Sequence, residues 1–140
     1  MIEIAVCDDE EIIRQQIVRL IEKQEKDCKI EEFATGDELL IGKKHFDMIF
    51  LDIQMEGRNG VETARAIRKY DEQTAIIFVT VVKEYVFEAF DVRAFHYLLK
   101  PIREQKFAEV FDDAWREAEK NHNKREEPQF YVETEGNPVH

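Results

Sequence analysis

Two cysteines among 140 residues, Cys7 and Cys28, form neither a disulfide framework nor a metal-ligand spacing, which fits a reducing cytosol. Both read as small buried apolar residues. No run approaches the roughly 18 consecutive apolar residues that a membrane span needs, and Met1-Ile2-Glu3-Ile4 lacks the basic flank and cleavage site of a leader, so the expected location is cytoplasmic with no membrane partner. Positive charge is short as well: 20 Lys and Arg against 31 Asp and Glu leave a net charge of −11. A surface of that sign repels nucleic acid, so the chain by itself is not a DNA-contacting part, whereas it suits divalent cations. The four histidines, His45, His96, His122 and His140, have no spacing for metal or triad chemistry and read as structural or solvated.

What is present is a short apolar run, Phe46-Asp47-Met48-Ile49-Phe50-Leu51-Asp52, that stops at a carboxylate. Such a run is the pattern of a strand buried on both faces in a parallel sheet, and its last residue stands at the carboxyl edge, where open α/β sheets bind ligands. The remaining chain repeats the theme. Ile2 to Cys7 is a first strand leading into Asp8-Asp9-Glu10-Glu11 and a helix with Ile13, Ile17, Leu20 and Ile21 on one face. Lys29 to Phe33 is a second strand, and Thr35-Gly36-Asp37 starts a short helix carrying Leu39, Leu40 and Ile41. Gln54 to Gly60 is a loop, followed by a helix with Val61, Ala64 and Ile67 inward and Arg65, Arg68 and Lys69 solvated. Ala75 to Val82 is a fourth strand, and Glu84 to Phe90 a weaker helix whose Tyr85, Phe87 and Phe90 fall on more than one face. Phe95 to Leu99 is a fifth strand stopped by Lys100-Pro101, and a last helix runs from about Arg103 to Asn121 with Phe107, Val110, Phe111, Ala114 and Ala118 inward.

Five strands alternating with five helices imply βα units, right-handed crossovers and an α/β fold with a five-stranded parallel sheet in the order 2-1-3-4-5. That order brings the ends of strands 1 and 3 together at the switch point, so Asp8, Asp9 and Asp52 converge, with Thr80 and Lys100 from the ends of strands 4 and 5. Three close carboxylates raise one another's pKa unless a cation neutralises them, and hard oxygen ligands favour Mg²⁺. A carboxylate nucleophile beside such a metal can accept a phosphoryl group, with Lys100 offering a point charge and Thr80 a hydrogen bond to the product. Taken singly, the acidic pair reads as a helix cap, Thr80 as a β-former, Lys100-Pro101 as a turn and Tyr97 as core; jointly, at successive strand ends, they read as a phosphate-handling set.

On these residues the chain resembles the receiver domain of bacterial response regulators in two-component signalling, over about Met1 to Asn121: Asp8-Asp9, Leu51-Asp52-Ile53-Gln54-Met55 with Gly60, Thr80, and Tyr97-Leu98-Leu99-Lys100-Pro101. The resemblance implies a flavodoxin-like receiver fold, Asp52 as phosphoacceptor, and Mg²⁺ held by Asp9, Asp52 and the backbone carbonyl of Gln54, with Asp8 acting through water. It also implies a switch pair, Thr80 and Tyr97, and a cis Lys100–Pro101 bond. Two departures stand out: Glu56 where many receivers have Pro, and Val81 where a smaller residue is usual and where the larger side chain narrows access to Asp52. From residue 122 to 140 the chain loses apolar periodicity and reads as a linker or a frayed helix end, followed at Phe130 to Gly136 by the start of a truncated output domain or an edge extension of the sheet; that stretch resembles the opening strand of a LytTR-type DNA-binding domain.

The implied function is a phosphorylation-dependent switch for transcription control, not an enzyme, whose partners are a sensor histidine kinase and, on phosphorylation, a second copy of the chain. DNA is reached only through the output domain. An alternative is a phosphate-independent interaction module of the same fold, supported by Val81 and opposed by the intact Asp9, Asp52, Thr80 and Lys100. An aspartate-nucleophile phosphatase of the haloacid dehalogenase type normally needs a second Asp two residues after the nucleophile, where this chain has Gln54.

Overall fold

A computed structural model describes residues 1–125. Five strands, β1 (Ile2–Cys7), β2 (Cys28–Phe33), β3 (Met48–Leu51), β4 (Ala75–Thr80) and β5 (His96–Leu99), form one sheet in the order β2-β1-β3-β4-β5, all neighbours parallel. The helices are α1 (Glu11–Glu22), α2 (Gly36–Leu40), α3 (Gly60–Arg68), α4 (Val86–Asp91) and α5 (Glu104–Arg125), with a 3₁₀ turn at Ile41–Lys43 after α2. The expected strand order is the observed one.

Alternation along the strands sorts the core into two layers, because successive side chains point to opposite faces of a sheet. Ile4, Val6, Met48, Phe50, Ile77 and Val79 pack on the face covered by α1 and α5, while Ala5, Cys7, Ile49, Leu51, Ile76 and Phe78 pack on the face covered by α2, α3 and α4. With apolar groups required on both faces, β3 and β4 become uninterrupted hydrophobic runs. A ladder of stacked rings, Phe50 on Phe107 at 5.3 Å between centroids, Phe107 on Phe111 at 6.0 Å and Phe111 on Trp115 at 5.8 Å, fixes the rotation of α5 against the sheet.

The register sets the site. Cys7 lies opposite Leu51, so the residues that follow them, Asp8 and Asp52, leave the sheet side by side, and Asp52 N–H donates to the Cys7 carbonyl at 3.0 Å. α3 begins with a capping box in which Glu62 N–H donates to Asn59 Oδ1 at 2.9 Å and Asn59 N–H to Glu62 Oε1 at 3.0 Å. Its first residue is glycine out of necessity: a Cβ on Gly60 would lie 2.1 Å from the Asp52 carbonyl oxygen and 2.7 Å from the Ile53 Cα. The start of α3 thereby props the backbone of Asp52.

Several boundaries differ from expectation. β4 ends at Thr80 rather than Val82, because the Thr80 hydroxyl accepts the Val82 N–H at 3.3 Å and turns the chain away from the ladder. α5 continues past Asn121 to Arg125, held by polar contacts that its apolar periodicity does not record. Ile41 is exposed on the 3₁₀ turn, while Phe87 and Phe90 on α4 are 83% and 82% exposed, the apolar surface that aromatic residues on more than one face of this helix imply. Arg68, expected in solvent, is half-buried and donates to three carbonyls. The strand expected at Phe130 to Gly136 and His140 lie outside the described residues. Among the described residues no helix is long and apolar enough to cross a membrane.

Candidate functional site

Asp8, Asp9 and Asp52 each present a carboxylate oxygen within 4.8 Å of the others. Asp8 and Asp52 are buried, and Asp9 is exposed at the rim. Their orientations are fixed locally. Asp8 Oδ1 accepts the Glu10 N–H at 2.9 Å, an Asx turn that starts the entry to α1, while its other oxygen, Oδ2, receives the ammonium of Lys100 at 2.9 Å. Asp52 Oδ1 accepts the Gln54 N–H at 3.3 Å, and Oδ2 faces the same ammonium at 3.2 Å. Asp9 Oδ2 accepts the Glu56 N–H at 3.2 Å, pinning the loop after β3 over the acidic cluster. Beside it opens a cavity of about 470 Å³ bounded by Asp9, Gln54, Glu56 and Tyr85.

The electrostatics follow from burial. Desolvation, reinforced by the charge of Asp8, pushes the Asp52 carboxyl above the usual carboxylate range, and Lys100 and the Thr80 hydroxyl offset only part of this. Burial also works against the Lys100 ammonium, but its hydrogen bond to Asp8 and the charges of Asp52 and Asp8 raise its pKa above that of an ordinary lysine. Cys7, beneath the site, is pushed up to about 12 by burial and then by Asp8 and Asp52, so it stays a thiol and takes no part as a nucleophile. Three carboxylates balanced by one ammonium leave the cluster with surplus negative charge. A hard divalent cation fits such an all-oxygen, partly open donor set, with Asp9 at the solvent side.

Thr80 is fully buried at the end of β4. Tyr97, at the second position of β5, is partly buried against Phe78, and its hydroxyl donates to the Val82 carbonyl two residues beyond Thr80. The Lys100–Pro101 peptide is cis. Gln54 stands at the site through its N–H, and its side chain is exposed. Val81 is 62% exposed at the mouth of the β4–α4 loop. Sequence reasoning thus identified every side chain of the acidic cluster and its lysine. It missed Gly60 as the backbone support of Asp52, for which the signal was a glycine directly after a helix-capping Asn, and the clasp of Asp9 on Glu56, which leaves no mark in residue types.

A five-stranded parallel sheet with three convergent carboxylates and a partly buried lysine at its switch point defines an α/β protein with an acidic site at the carboxyl ends of its strands. The sequence profile of the response regulator receiver domain matches residues 4–112, and the chain belongs to that family. It is 36% identical over 110 residues to the sensory transduction protein LytT of Oceanobacillus iheyensis, covering 76% of this chain and 45% of that protein. It is 33% identical over 116 residues to the positive alginate biosynthesis regulatory protein of Pseudomonas aeruginosa, covering 81% and 47%. The transcriptional regulatory protein YpdB of Escherichia coli is 30% identical over 120 residues, covering 82% and 49%. The chain therefore spans about half the length of the curated relatives it matches. Among solved structures, the response regulatory domain of protein mrkE from Klebsiella pneumoniae superposes with a TM-score of 0.79 at 29% identity, covering 85% of this chain and 99% of that one. The response regulator TrrA of Thermotoga maritima, in complex with Mg²⁺ and beryllium fluoride, gives 0.70 at 30% identity, covering 81% and 99%.

Proposed function

We propose that Asp52 accepts a phosphoryl group from a phosphohistidine of a sensor histidine kinase, and that the resulting aspartyl phosphate switches the domain. The observation that carries this reading is the Asp52 carboxylate held between Lys100 and the Asp8–Asp9 pair at the mouth of the switch point. A carboxylate oxygen of Asp52 forms the new O–P bond as the P–N bond to imidazole breaks, and the leaving imidazole takes a proton. Asp9, Asp52 and the backbone carbonyl of Gln54, with Asp8 acting through water, would hold Mg²⁺, which when bound would offset the negative charge of the carboxylate and the phosphoryl group. Lys100 holds the carboxylate in place and then pairs with the phosphoryl oxygens. Burial of Asp52 excludes bulk water from the acceptor oxygen.

The added charge gives Thr80 a new acceptor. Its hydroxyl leaves the Val82 N–H for the phosphoryl group, and the β4–α4 loop, which Tyr97 grips through the Val82 carbonyl, moves with it. Moving such an equilibrium from mostly off to mostly on takes a differential of about 5.5 kcal/mol, so the unphosphorylated domain retains some active population. The exposed Phe87 and Phe90 of α4, with Leu99 of β5, offer the apolar face on which a second copy docks. The receiver unit, expected over 1–121, takes in the last turn of α5 to Arg125, and the residues beyond join it to an output domain of the LytTR type that makes the DNA contacts, in keeping with a relative whose name is that of a transcriptional regulator and with the unfavourable net charge here. Such a switch works in the cytoplasm.

The test is titration of the full chain with beryllium fluoride and Mg²⁺, followed by amide chemical shifts. Saturable shifts at Gln54, Gly60, Thr80 and Lys100 that need both Mg²⁺ and Asp52 are expected. No shift, with the fold intact, would overturn the reading in favour of a phosphate-independent interaction module.

A further inference from the structure

The edge of the sheet opposite the acidic site carries a second polar cluster, built from residues far apart in sequence. Arg68, near the end of α3, donates through Nε to the Val92 carbonyl at 2.8 Å and through its terminal nitrogens to the Arg93 carbonyl at 3.0 Å and the Asp71 carbonyl at 3.2 Å. It thereby satisfies carbonyls left open where α4 ends, at a point where Arg93 itself takes a left-handed φ of 56° that glycine ordinarily fills. Asp71 belongs to the loop before β4: its Oδ1 accepts the N–H groups of Gln73 and Thr74 at 3.0 and 3.1 Å, and its Oδ2 lies 2.5 Å from His45 Nδ1. The other nitrogen of His45 faces Asp47 Oδ1 at 3.4 Å, and that same oxygen lies 3.2 Å from Nδ1 of His122 in the last turns of α5. Asp47 Oδ2 accepts the Glu3 N–H at 2.8 Å, and Asn121, next to His122, donates to the Gln73 carbonyl at 3.5 Å.

These contacts make one continuous chain: the end of α4, Arg68, Asp71, His45, Asp47, and the end of α5. Asp47 and Asp71 are buried, with side chains only 4% and 6% exposed, so each depends on its partners being present. The charged and titratable groups around His45 are Asp47 ahead of β3, Lys43 of the 3₁₀ turn, Tyr70, Asp71 and Glu72 between α3 and β4, and Arg125 at the end of α5. None of these residues touches the acidic site, which lies at the other end of β3.

We propose that this polar belt ties the C-terminal end of α4 to the C-terminal end of α5, so that displacement of either helix end is felt at the other along the edge of the sheet remote from Asp52. Packing alone predicts no such link. Arg68 reaches the end of α4 through backbone carbonyls, and the belt reaches α5 at Asn121 and His122, beyond the ring ladder that packs its earlier turns on the sheet. Arg68, Asp71, His45 and Asp47 are positioning residues, and the claim stands whether or not Asp52 is phosphorylated.

The test is amide hydrogen exchange of the full chain with three variants. Arg68→Met keeps the aliphatic stem and removes the donors, Asp71→Asn keeps an acceptor for Gln73 and Thr74 and removes the charge facing His45, and His122→Gln cuts the far end at a partly buried position. A coupling of ordinary size appears as roughly a threefold or greater acceleration of exchange at the distant helix end. Arg68→Met and Asp71→Asn should produce this at residues 118–125, and His122→Gln at Val92 to Ala94. Combining Arg68→Met with Asp71→Asn should add nothing at α5, since both cut one chain. The His45 imidazole should also titrate near 9 in the native chain and fall back toward its ordinary range in Asp71→Asn. Should Arg68→Met fail to fold, the other two variants carry the test alone. Exchange changes confined to within a turn of each substitution would overturn the proposal.

Discussion

Replacing Lys100 by methionine keeps most of the side chain's volume and removes its charge from between Asp8 and Asp52. At an effective dielectric of 20, contacts of 2.9 and 3.2 Å are each worth roughly 5 kcal/mol of attraction, and two carboxylates within 4.8 Å repel by roughly 3.5 kcal/mol or more. Desolvating the ammonium offsets much of the attraction in the native protein, so the net loss falls near the 3–5 kcal/mol typical of breaking a buried pair, about 4 kcal/mol here. That is a large part of the 5–15 kcal/mol by which a domain is ordinarily stable, and it corresponds to a fall of roughly 12–20 °C in Tm. The deficit has a pH signature. Asp52 already has a folded pKa above its unfolded one, a contribution to stability present at low pH and lost as pH rises through the ordinary carboxylate range and beyond; without Lys100 that pKa climbs further. Acidification from pH 7.5 to 5 should therefore recover part of the loss, and excess Mg²⁺ at pH 7.5 should do the same by replacing the missing positive charge. Urea unfolding of both chains, with and without Mg²⁺, measures all of this. A deficit below about 1 kcal/mol, or one equal at both pH values, would refute the electrostatic picture of the site.

Gly60→Ala should destabilise the fold by about 3 kcal/mol and weaken Mg²⁺ binding with it, because the added methyl meets backbone rather than a movable side chain; chemical denaturation and metal titration of one sample would read both effects. Asn59→Ala removes one half of the capping box and should cost about 1 kcal/mol with little change in metal affinity, so a large affinity change would show that the cap does more than start α3. His45, raised to about 9 by Asp47 and Asp71 against the opposing effect of burial, contributes stability that is complete below its ordinary value and is lost as pH rises through about 9. Up to about 3 kcal/mol should disappear between pH 7 and 10, and His45→Gln should flatten that part of the stability profile.

The fold and the acidic site were legible because both are written in local patterns. Each buried strand is a short apolar run, and the polar residue that ends it is carried to the same edge by parallel topology, so Asp8, Asp9, Asp52, Thr80 and Lys100 could be assembled before any distance was known. The opposite edge was illegible for the same reason reversed. His45 and His122 are separated by 77 positions, Asp71 sits in an irregular loop, and no spacing rule joins them; their meeting depends on α5 continuing beyond Asn121, where apolar periodicity has already ended. Arg68 was assigned to solvent from its place opposite the apolar stripe of α3, but a long side chain at a helix end can turn back to open carbonyls, and α4 supplies them. The exposed rings of Phe87 and Phe90 were half legible, since aromatic residues on more than one face of a six-residue helix cannot all reach one core.

Intact mass after incubation of the full chain with acetyl phosphate and Mg²⁺ tests the central claim most directly. One phosphoryl adduct per chain is expected, dependent on Mg²⁺, lost at alkaline pH as an acyl phosphate is, and absent from Asp52→Asn. An adduct that persists in Asp52→Asn, or no adduct on a folded chain that binds Mg²⁺, would contradict it.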